Sequence, residues 1–91
     1  MAEHEHEPSV EEFIEQIRGI GVAQFLLSTV STLASLTYAK LESGELEQAK
    51  VGIEALKALV PVLAGQIEDD TRRDLESALA DLQLAYADAV R

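Results

Sequence analysis

Residues 19–39 contain no Asp, Glu, Lys or Arg, although these four residue types make up 26% of the chain. A helix without charged residues on any side has no face that clearly belongs in water. Such a segment is covered by one of three things: a lipid bilayer, the rest of its own chain, or a second copy of the chain. The choice among them decides what a protein of 91 residues can fold into.

The length of this segment would allow it to cross a membrane, because about 20 helical residues span the hydrocarbon core. Its composition argues against this. Polar residues are spread through it, namely Gln24, Ser28, Thr29, Ser31, Thr32, Ser35 and Thr37. No cluster of Lys or Arg flanks it, and an aromatic belt at the membrane surface would have only Tyr38 to use. We therefore predict a helix covered by protein, and keep a membrane-associated helix over residues 19–39 as an alternative.

The spacing of apolar residues predicts an all-α protein with three antiparallel helices, over residues 9–43, 45–64 and 70–90. Ser9 followed by Glu12 is the pattern of a capping box, which indicates where the first helix begins. Before it, an acidic tail at the N-terminus is expected to be disordered. The remainder is short enough to form a single helical domain.

Glycines indicate where the first predicted helix bends and ends. Gly19 and Gly21 each weaken a helix by about 1 kcal/mol relative to Ala, so a bend or break near residues 19–21 is expected. Gly44 suits the position just beyond the end of a helix. If it were continuous, this helix would be about 50 Å long and would overhang a hairpin of about 30 Å.

The second predicted helix carries apolar residues on two sides. One stripe follows steps of three and four through Leu46, Ala49, Ile53, Leu56, Val60 and Leu63. A second stripe lies beside it and consists of Val51, Ala55, Ala58 and Val62. Pro61 is expected to kink or end this helix, because its ring lacks an N–H. In the third helix, Asp69 or Asp70 is expected to act as the N-cap, and Leu84 points away from the main apolar stripe.

A lone three-helix chain would leave much of this apolar surface in water, which usually marks an interface. We therefore expect a symmetric homodimer or a tetramer, assembled into a helical bundle with the first helix at its centre. The residues predicted to form this interface are Phe13, Ile14, Ile17, Leu26, Val30, Leu33, Val51, Ala55, Val62 and Leu84.

Charge and composition exclude several classes of function. The net charge of −10 disfavours nucleic acid and anionic membranes, since both are bound by clustered Lys and Arg. The chain has no Cys and its two His residues are His4 and His6, so catalytic triads and dyads are not expected. An acidic N-terminus without a signal-peptide pattern indicates a cytoplasmic protein.

Metal and cofactor sites are not expected either. His4 and His6 form a His-x-His pair that could bind a divalent metal, but a solvated tail is the preferred interpretation. Pairs of carboxylates share helix faces at Glu11 and Glu15, Glu47 and Glu54, and Asp70 and Asp74. These faces lie opposite the apolar stripes, so a solvated role is expected.

Two runs in the second half of the chain, ELEQAKVGIEALKAL at residues 45–59 and RRDLESALADLQLAYADA at residues 72–89, resemble the bacterial family known as domain of unknown function 1844. The matching positions are Leu46, Ala49, Ile53, Leu56, Leu59, Leu75, Leu82 and Tyr86. The resemblance extends over roughly residues 20–89. It implies an all-α protein with no assigned enzyme activity, and it brings no catalytic residues with it.

The functional expectation is a non-enzymatic, cytoplasmic helical homo-oligomer that acts as a scaffold or protein-interaction module, with itself and an unidentified protein as possible partners. One alternative is a small bundle that binds an apolar ligand beside Gln24, Ser28, Thr32 or Tyr38. The other is the membrane-associated factor described above.

Overall fold

The computed structural model describes residues 9–91, and these form four α-helices without a strand. The helices are α1 (Val10–Arg18), α2 (Val22–Glu42), α3 (Leu46–Ala64) and α4 (Asp69–Ala89). The predicted all-α class is confirmed. The predicted number of three helices is wrong, because the first of them is interrupted at residues 19–21. The N-terminal tail with His4 and His6 lies outside the described residues.

α1 begins at the predicted capping box. The Glu12 backbone N–H donates to Ser9 Oγ at 3.1 Å, and the Ser9 N–H donates to Glu12 Oε1 at 3.1 Å. The helix ends at Gly19, whose N–H turns back to the Gln16 carbonyl at 3.3 Å. Gly21 then adopts an extended conformation and begins α2. The two glycines therefore divide one predicted helix into two.

The connection from α2 to α3 also follows the prediction. Gly44 has φ of +80°, a left-handed conformation that other residues adopt only with strain. α3 ends at Ala64, as predicted, with Pro61 inside its last turn; of the two expectations for Pro61, a kink or the end of the helix, the end is wrong. The N-cap of α4 is Glu68 and not Asp69 or Asp70, and its side chain makes no capping hydrogen bond.

The hydrophobic core lies where α2, α3 and α4 pack together, with α3 contributing the most buried side chains. Its buried members are Val30, Ile53, Leu56, Val60, Leu63 and Leu82. Half-buried residues of α2 and α4, including Leu26, Leu33, Leu75 and Tyr86, pack around them. The first predicted stripe of α3 is thus the stripe that faces the core.

α2 and α3 approach each other most closely at Thr37 and Gly52. A Cβ built on Gly52 would lie 2.0 Å from Thr37 Oγ1, a distance that no real side chain tolerates. The Thr37 hydroxyl is buried and has no hydrogen-bond partner. Its oxygen faces the Gly52 Cα, where a weak Cα–H···O contact is the interaction left to it. The absence of a side chain at Gly52 therefore sets the spacing of this helix pair.

α2 is the one described helix whose length and apolar character would allow it to cross a membrane. Only 11% of its most apolar window is buried by the rest of the chain. Val30 and Thr37 are the fully covered residues of the uncharged segment, and most of the others are exposed. The chain by itself does not cover this segment.

Candidate interaction surface

One exposed stripe of α2 repeats at steps of three, four, three and four residues. It consists of Val22, Phe25, Thr29, Thr32 and Leu36. All five are exposed, and the side chain of Val22 reaches 81% exposure. This spacing is the one that helices use to pack along a seam with another helix. The stripe runs beside the core-facing side of α2, not through it.

The second stripe of α3 lies next to this stripe of α2. Val51, Ala58 and Val62 are exposed, and Ala55 is half-buried. Since the two helices are antiparallel neighbours, Val62 is near Val22 and Val51 is near Leu36. We call the two stripes together the outer face: Val22, Phe25, Thr29, Thr32 and Leu36 of α2 with Val51, Ala55, Ala58 and Val62 of α3.

Depressions mark both ends of the outer face. One, of about 260 Å³, lies between α2 and α3 and is lined by Leu36, Val51 and Ala55 among others. The other, of about 230 Å³, is lined at the opposite end by Val22 and Val62. A third, of about 370 Å³, runs along α2 over Thr29 and Thr32. The outer face is thus grooved and could receive large apolar side chains.

One of the two threonine hydroxyls on the outer face is hydrogen-bonded within its own helix. Thr29 Oγ1 donates to the Phe25 carbonyl at 3.0 Å, so its hydroxyl is satisfied within the helix. Lys40 is a charged side chain at the edge of the face, and it contacts Glu45 Oε1 at 3.3 Å. No Asp, Glu, Lys or Arg belongs to the face itself. Covering the outer face would therefore bury no charged side chain of the face itself, and it would leave the Thr29 hydroxyl hydrogen-bonded.

α1 presents a further apolar stripe that its own chain leaves uncovered. Val10, Phe13, Ile14 and Ile17 are exposed on one side, with Glu11, Glu12, Glu15 and Arg18 on the others. α1 packs against none of α2, α3 and α4. A strongly amphipathic helix gains most of its stability from packing its apolar side. The apolar stripe of α1 is therefore available to pack against another surface.

The structure separates the ten residues of the predicted interface into four groups. Phe13, Ile14 and Ile17 are exposed on α1, and Val51, Ala55 and Val62 lie on the outer face. Leu26 and Leu33 are half-buried against the core, and Val30 is fully buried within the chain. Leu84 is 65% exposed on α4, on the side opposite Leu82. Val30 is thus already covered by its own chain, and Leu84 is remote from the outer face.

The sequence analysis missed the α2 half of the outer face. Phe25 and Leu36 are large, exposed and central to it, yet neither was predicted to form an interface. The stripe that was predicted, through Leu26, Val30 and Leu33, faces the core of the chain. The neighbouring steps of three and four through Phe25 and Leu36 were the signal that could have identified the second stripe.

A separate groove lies between α2 and α4. It has a volume of about 410 Å³ and is lined by Ala34, Ser35, Tyr38, Ala78, Asp81, Leu82 and Ala85. The Tyr38 hydroxyl donates to Glu42 Oε2 at 2.8 Å. This hydrogen bond and the negative charge of Glu42 raise the pKa of Tyr38 above its ordinary value, so the phenol is neutral near pH 7.

Among residues 9–91 no group of three or more metal-binding side chains comes together. The carboxylate pairs of α1, α3 and α4 are exposed, as expected for solvated faces. Several take part in surface ion pairs instead, such as Glu54 with Lys57 at 3.6 Å and Asp70 with Arg73 at 3.5 Å. Exposed pairs of this kind contribute little to stability.

The family model described as Domain of unknown function (DUF1844) matches residues 22–88, which is most of the chain. The chain belongs to this family. The matched DUF1844 region contains α2 and α3 and all but the last residue of α4, and it therefore includes the whole outer face. α1 lies before it. No curated protein and no solved structure matches the chain.

Proposed function

We propose that this protein is a non-enzymatic, cytoplasmic helical homo-oligomer, a dimer or a tetramer, that acts as a scaffold or protein-interaction module. The observation that supports it is the distribution of exposed apolar side chains. Thirteen large hydrophobic residues are exposed in the described part, and ten lie on α1, on its connection to α2 or on the outer face. The other three are Tyr38, Leu84 and Val90.

The area involved is that of a stable interface. Each of these ten side chains exposes on the order of 50–80 Å² of apolar surface, which gives roughly 500–800 Å² for one chain. A standard protein interface buries about 800 Å² on each partner. At about 25 cal/mol per Å², covering this surface stabilises the assembly by on the order of 10 kcal/mol per chain. Association costs about 4–15 kcal/mol through lost translational and rotational freedom, which is comparable to this gain. A dimer covers two such surfaces.

The mass of the full chain in solution tests this proposal. Size-exclusion chromatography with light scattering at low micromolar concentration should give two or four times the mass of one chain. The variant Val51→Glu/Val62→Glu places two charges on the outer face and should be monomeric with unchanged helicity. The control variant Leu84→Glu/Val90→Glu adds the same charge on the exposed side and end of α4, and should remain oligomeric.

Each result has a definite meaning. A wild-type chain that is monomeric under these conditions contradicts the proposal. An oligomer that survives the outer-face substitutions but dissociates with the α4 substitutions would place the interface around Leu84 instead. Circular dichroism of each variant shows whether a change of mass reflects lost association or lost folding.

A membrane-associated role is the competing hypothesis, since α2 is long and apolar enough to span a bilayer. Insertion of α2 would require separating Val30 and Thr37 from the residues of α3 that cover them. Fractionation of native cells distinguishes the two. Recovery in the soluble fraction without detergent supports the oligomer, and recovery with membranes alone supports a bilayer around α2.

The groove between α2 and α4 favours a second candidate function, the binding of a small apolar ligand. Its walls are mostly Ala and Leu, with Ser35, Tyr38 and Asp81 as polar groups. Binding sites for small molecules commonly have this combination. Native mass spectrometry of the purified protein should then show a retained small molecule, which Ala78→Phe would displace by filling the groove without touching the outer face.

A further inference from the structure

α1 makes no packing contact with the other three helices of its own chain. The connections after α2 and after α3 bring neighbouring helices together, but the connection through residues 19–21 does not bring α1 onto α2. The apolar stripe of α1 and the outer face are therefore both uncovered in one chain, although only three residues separate α1 from Val22.

Neither surface by itself has the area of a standard interface. α1 with Ile20 carries half of the ten exposed side chains, and the outer face carries the other half. Pairing two outer faces, or two α1 helices, would bury roughly 250–400 Å² on each chain. That is about a third to a half of what a standard interface buries on each partner. An interface of standard size must include both surfaces of each chain.

The two surfaces also match in length and character. α1 has nine residues and is about 14 Å long. The depressions at the ends of the outer face are centred near Val51 and Val62, eleven residues apart along α3, or about 16 Å. Phe13 and Ile17 are large side chains that grooves between helices accept. The three Glu residues of α1 lie away from its apolar stripe, and Arg18 borders the stripe, so docking would bury no carboxylate.

We propose that α1 of each copy packs its apolar stripe on the outer face of a second copy, so that two chains exchange their N-terminal helices. This inference rests on the proposed homo-oligomer and adds which surfaces meet. Reciprocal exchange covers both surfaces of both chains in one symmetric contact, as a closed dimer requires. The three-residue connection acts as the hinge that carries α1 to the neighbouring molecule.

A complementation experiment with two full-length variants tests the exchange. In the helix variant, Phe13→Gln, Ile14→Gln and Ile17→Gln remove the apolar stripe of α1 with residues that favour a helix. In the face variant, Val51→Glu and Val62→Glu block the outer face. Each variant alone should be monomeric. Mixed in equal amounts they should form a heterodimer, because the intact α1 of the face variant can dock on the intact face of the helix variant.

The heterodimer keeps one of the two reciprocal contacts, so its dissociation constant should exceed that of the wild-type dimer by at least about tenfold. Native mass spectrometry distinguishes it from both homodimers by mass. Leu84→Gln/Val90→Gln, mixed with the face variant, serves as a control for the chemistry of the substitutions. The Leu84→Gln/Val90→Gln variant should be dimeric by itself.

Other outcomes overturn the exchange. A helix variant that still dimerises alone shows that α1 is not needed, and the outer faces then pair directly. A face variant that still dimerises alone indicates pairing of two α1 helices. A mixture that stays monomeric also contradicts the exchange. In these three cases the homo-oligomer itself survives. A monomeric wild-type chain, with α1 folded onto its own outer face, removes both proposals.

Discussion

At the scale of single residues, the contact between Thr37 and Gly52 has the largest structural consequence. Thr37 is 2% exposed and its hydroxyl has no partner, which is unusual because burying an unpaired hydroxyl is unfavourable. The close approach that Gly52 permits packs the core side chains of α2 against α3. We interpret the unpaired hydroxyl as tolerated because this approach improves the surrounding apolar packing.

Gly52→Ala should therefore destabilise the protein, although Ala favours a helix more than Gly does. The new Cβ would overlap Thr37 Oγ1 and force α2 and α3 apart, and we expect the free energy of unfolding to fall by about 1–3 kcal/mol. Chemical denaturation followed by circular dichroism measures this change.

Gly65→Ala is the matched control, because no atom lies within 4 Å of its added Cβ and its φ of −87° suits Ala. It should leave stability nearly unchanged. The double variant Thr37→Ala/Gly52→Ala should recover part of the loss, since the nearest overlapping atom is removed. Equal stability of the Gly52→Ala variant and the wild type would show that the helices can separate at no cost.

At the scale of elements, the short connection between α2 and α3 combines backbone and side-chain interactions. Gly44 supplies the left-handed turn. Ser43 Oγ donates to Glu45 Oε2 at 2.9 Å, and Lys40 Nζ lies 3.3 Å from Glu45 Oε1. The hydrogen bond from Ser43, followed by the bond and charge of Lys40, lowers the pKa of Glu45 below 4.5.

A lowered pKa in the folded state means that Glu45 stabilises the fold when it is ionised. This contribution is present above the ordinary pKa of 4.5 and is lost as the pH falls through the lower, folded value. Ser43→Ala and Lys40→Met should each raise the pKa of Glu45 toward 4.5. An NMR titration of the Glu45 side-chain carboxyl measures both shifts. Ser35→Ala, which removes a distant hydroxyl of α2, should leave the value unchanged, and a shift there would contradict the assignment.

α1 and α3 also differ in how they are stabilised. α1 has a complete capping box but no buried residue, so only local interactions support it in a single chain. α3 lacks a side-chain N-cap and contains Pro61, yet six of its residues are buried. Tertiary packing therefore outweighs local signals in α3, which explains why the helix continues through the proline to Ala64.

At the scale of the whole molecule, the Cα radius of gyration of 17.1 Å exceeds the roughly 12 Å expected for a compact chain of this length. The projection of α1 away from the other helices is consistent with this difference. The net charge of −10 makes copies of the chain repel one another wherever the charge is not screened. Association must overcome this repulsion through apolar contact.

Self-association should therefore become tighter as salt is added. Salt shortens the Debye length from about 14 Å at 0.05 M to about 4 Å at 0.5 M and so weakens the repulsion, and it leaves apolar contact intact. We expect the dissociation constant to fall roughly three- to tenfold over this range. Sedimentation equilibrium of the wild-type chain measures it, and the outer-face variant Val51→Glu/Val62→Glu should stay monomeric throughout. Dissociation by salt would indicate an interface held by ion pairs instead.

The helical class, the capping box at Ser9, the turn at Gly44 and the two apolar stripes of α3 could be predicted because each follows from a few neighbouring residues. The interruption at residues 19–21 was expected only as a bend or a break. The α3 part of the outer face was predicted, whereas Phe25 and Leu36 were missed.

The sequence by itself determined which segments are helical and that residues 19–39 lack a charged face, since periodicity and charge are local properties of the chain. Only the tertiary structure decided which side of α2 faces the core and which remains open. Two stripes with the same spacing and similar apolar character are nearly equivalent in a linear pattern. The stripe that faces the core is the one through Thr37, which meets Gly52, and a linear pattern does not show this because a distance between helices depends on residues far apart in the chain.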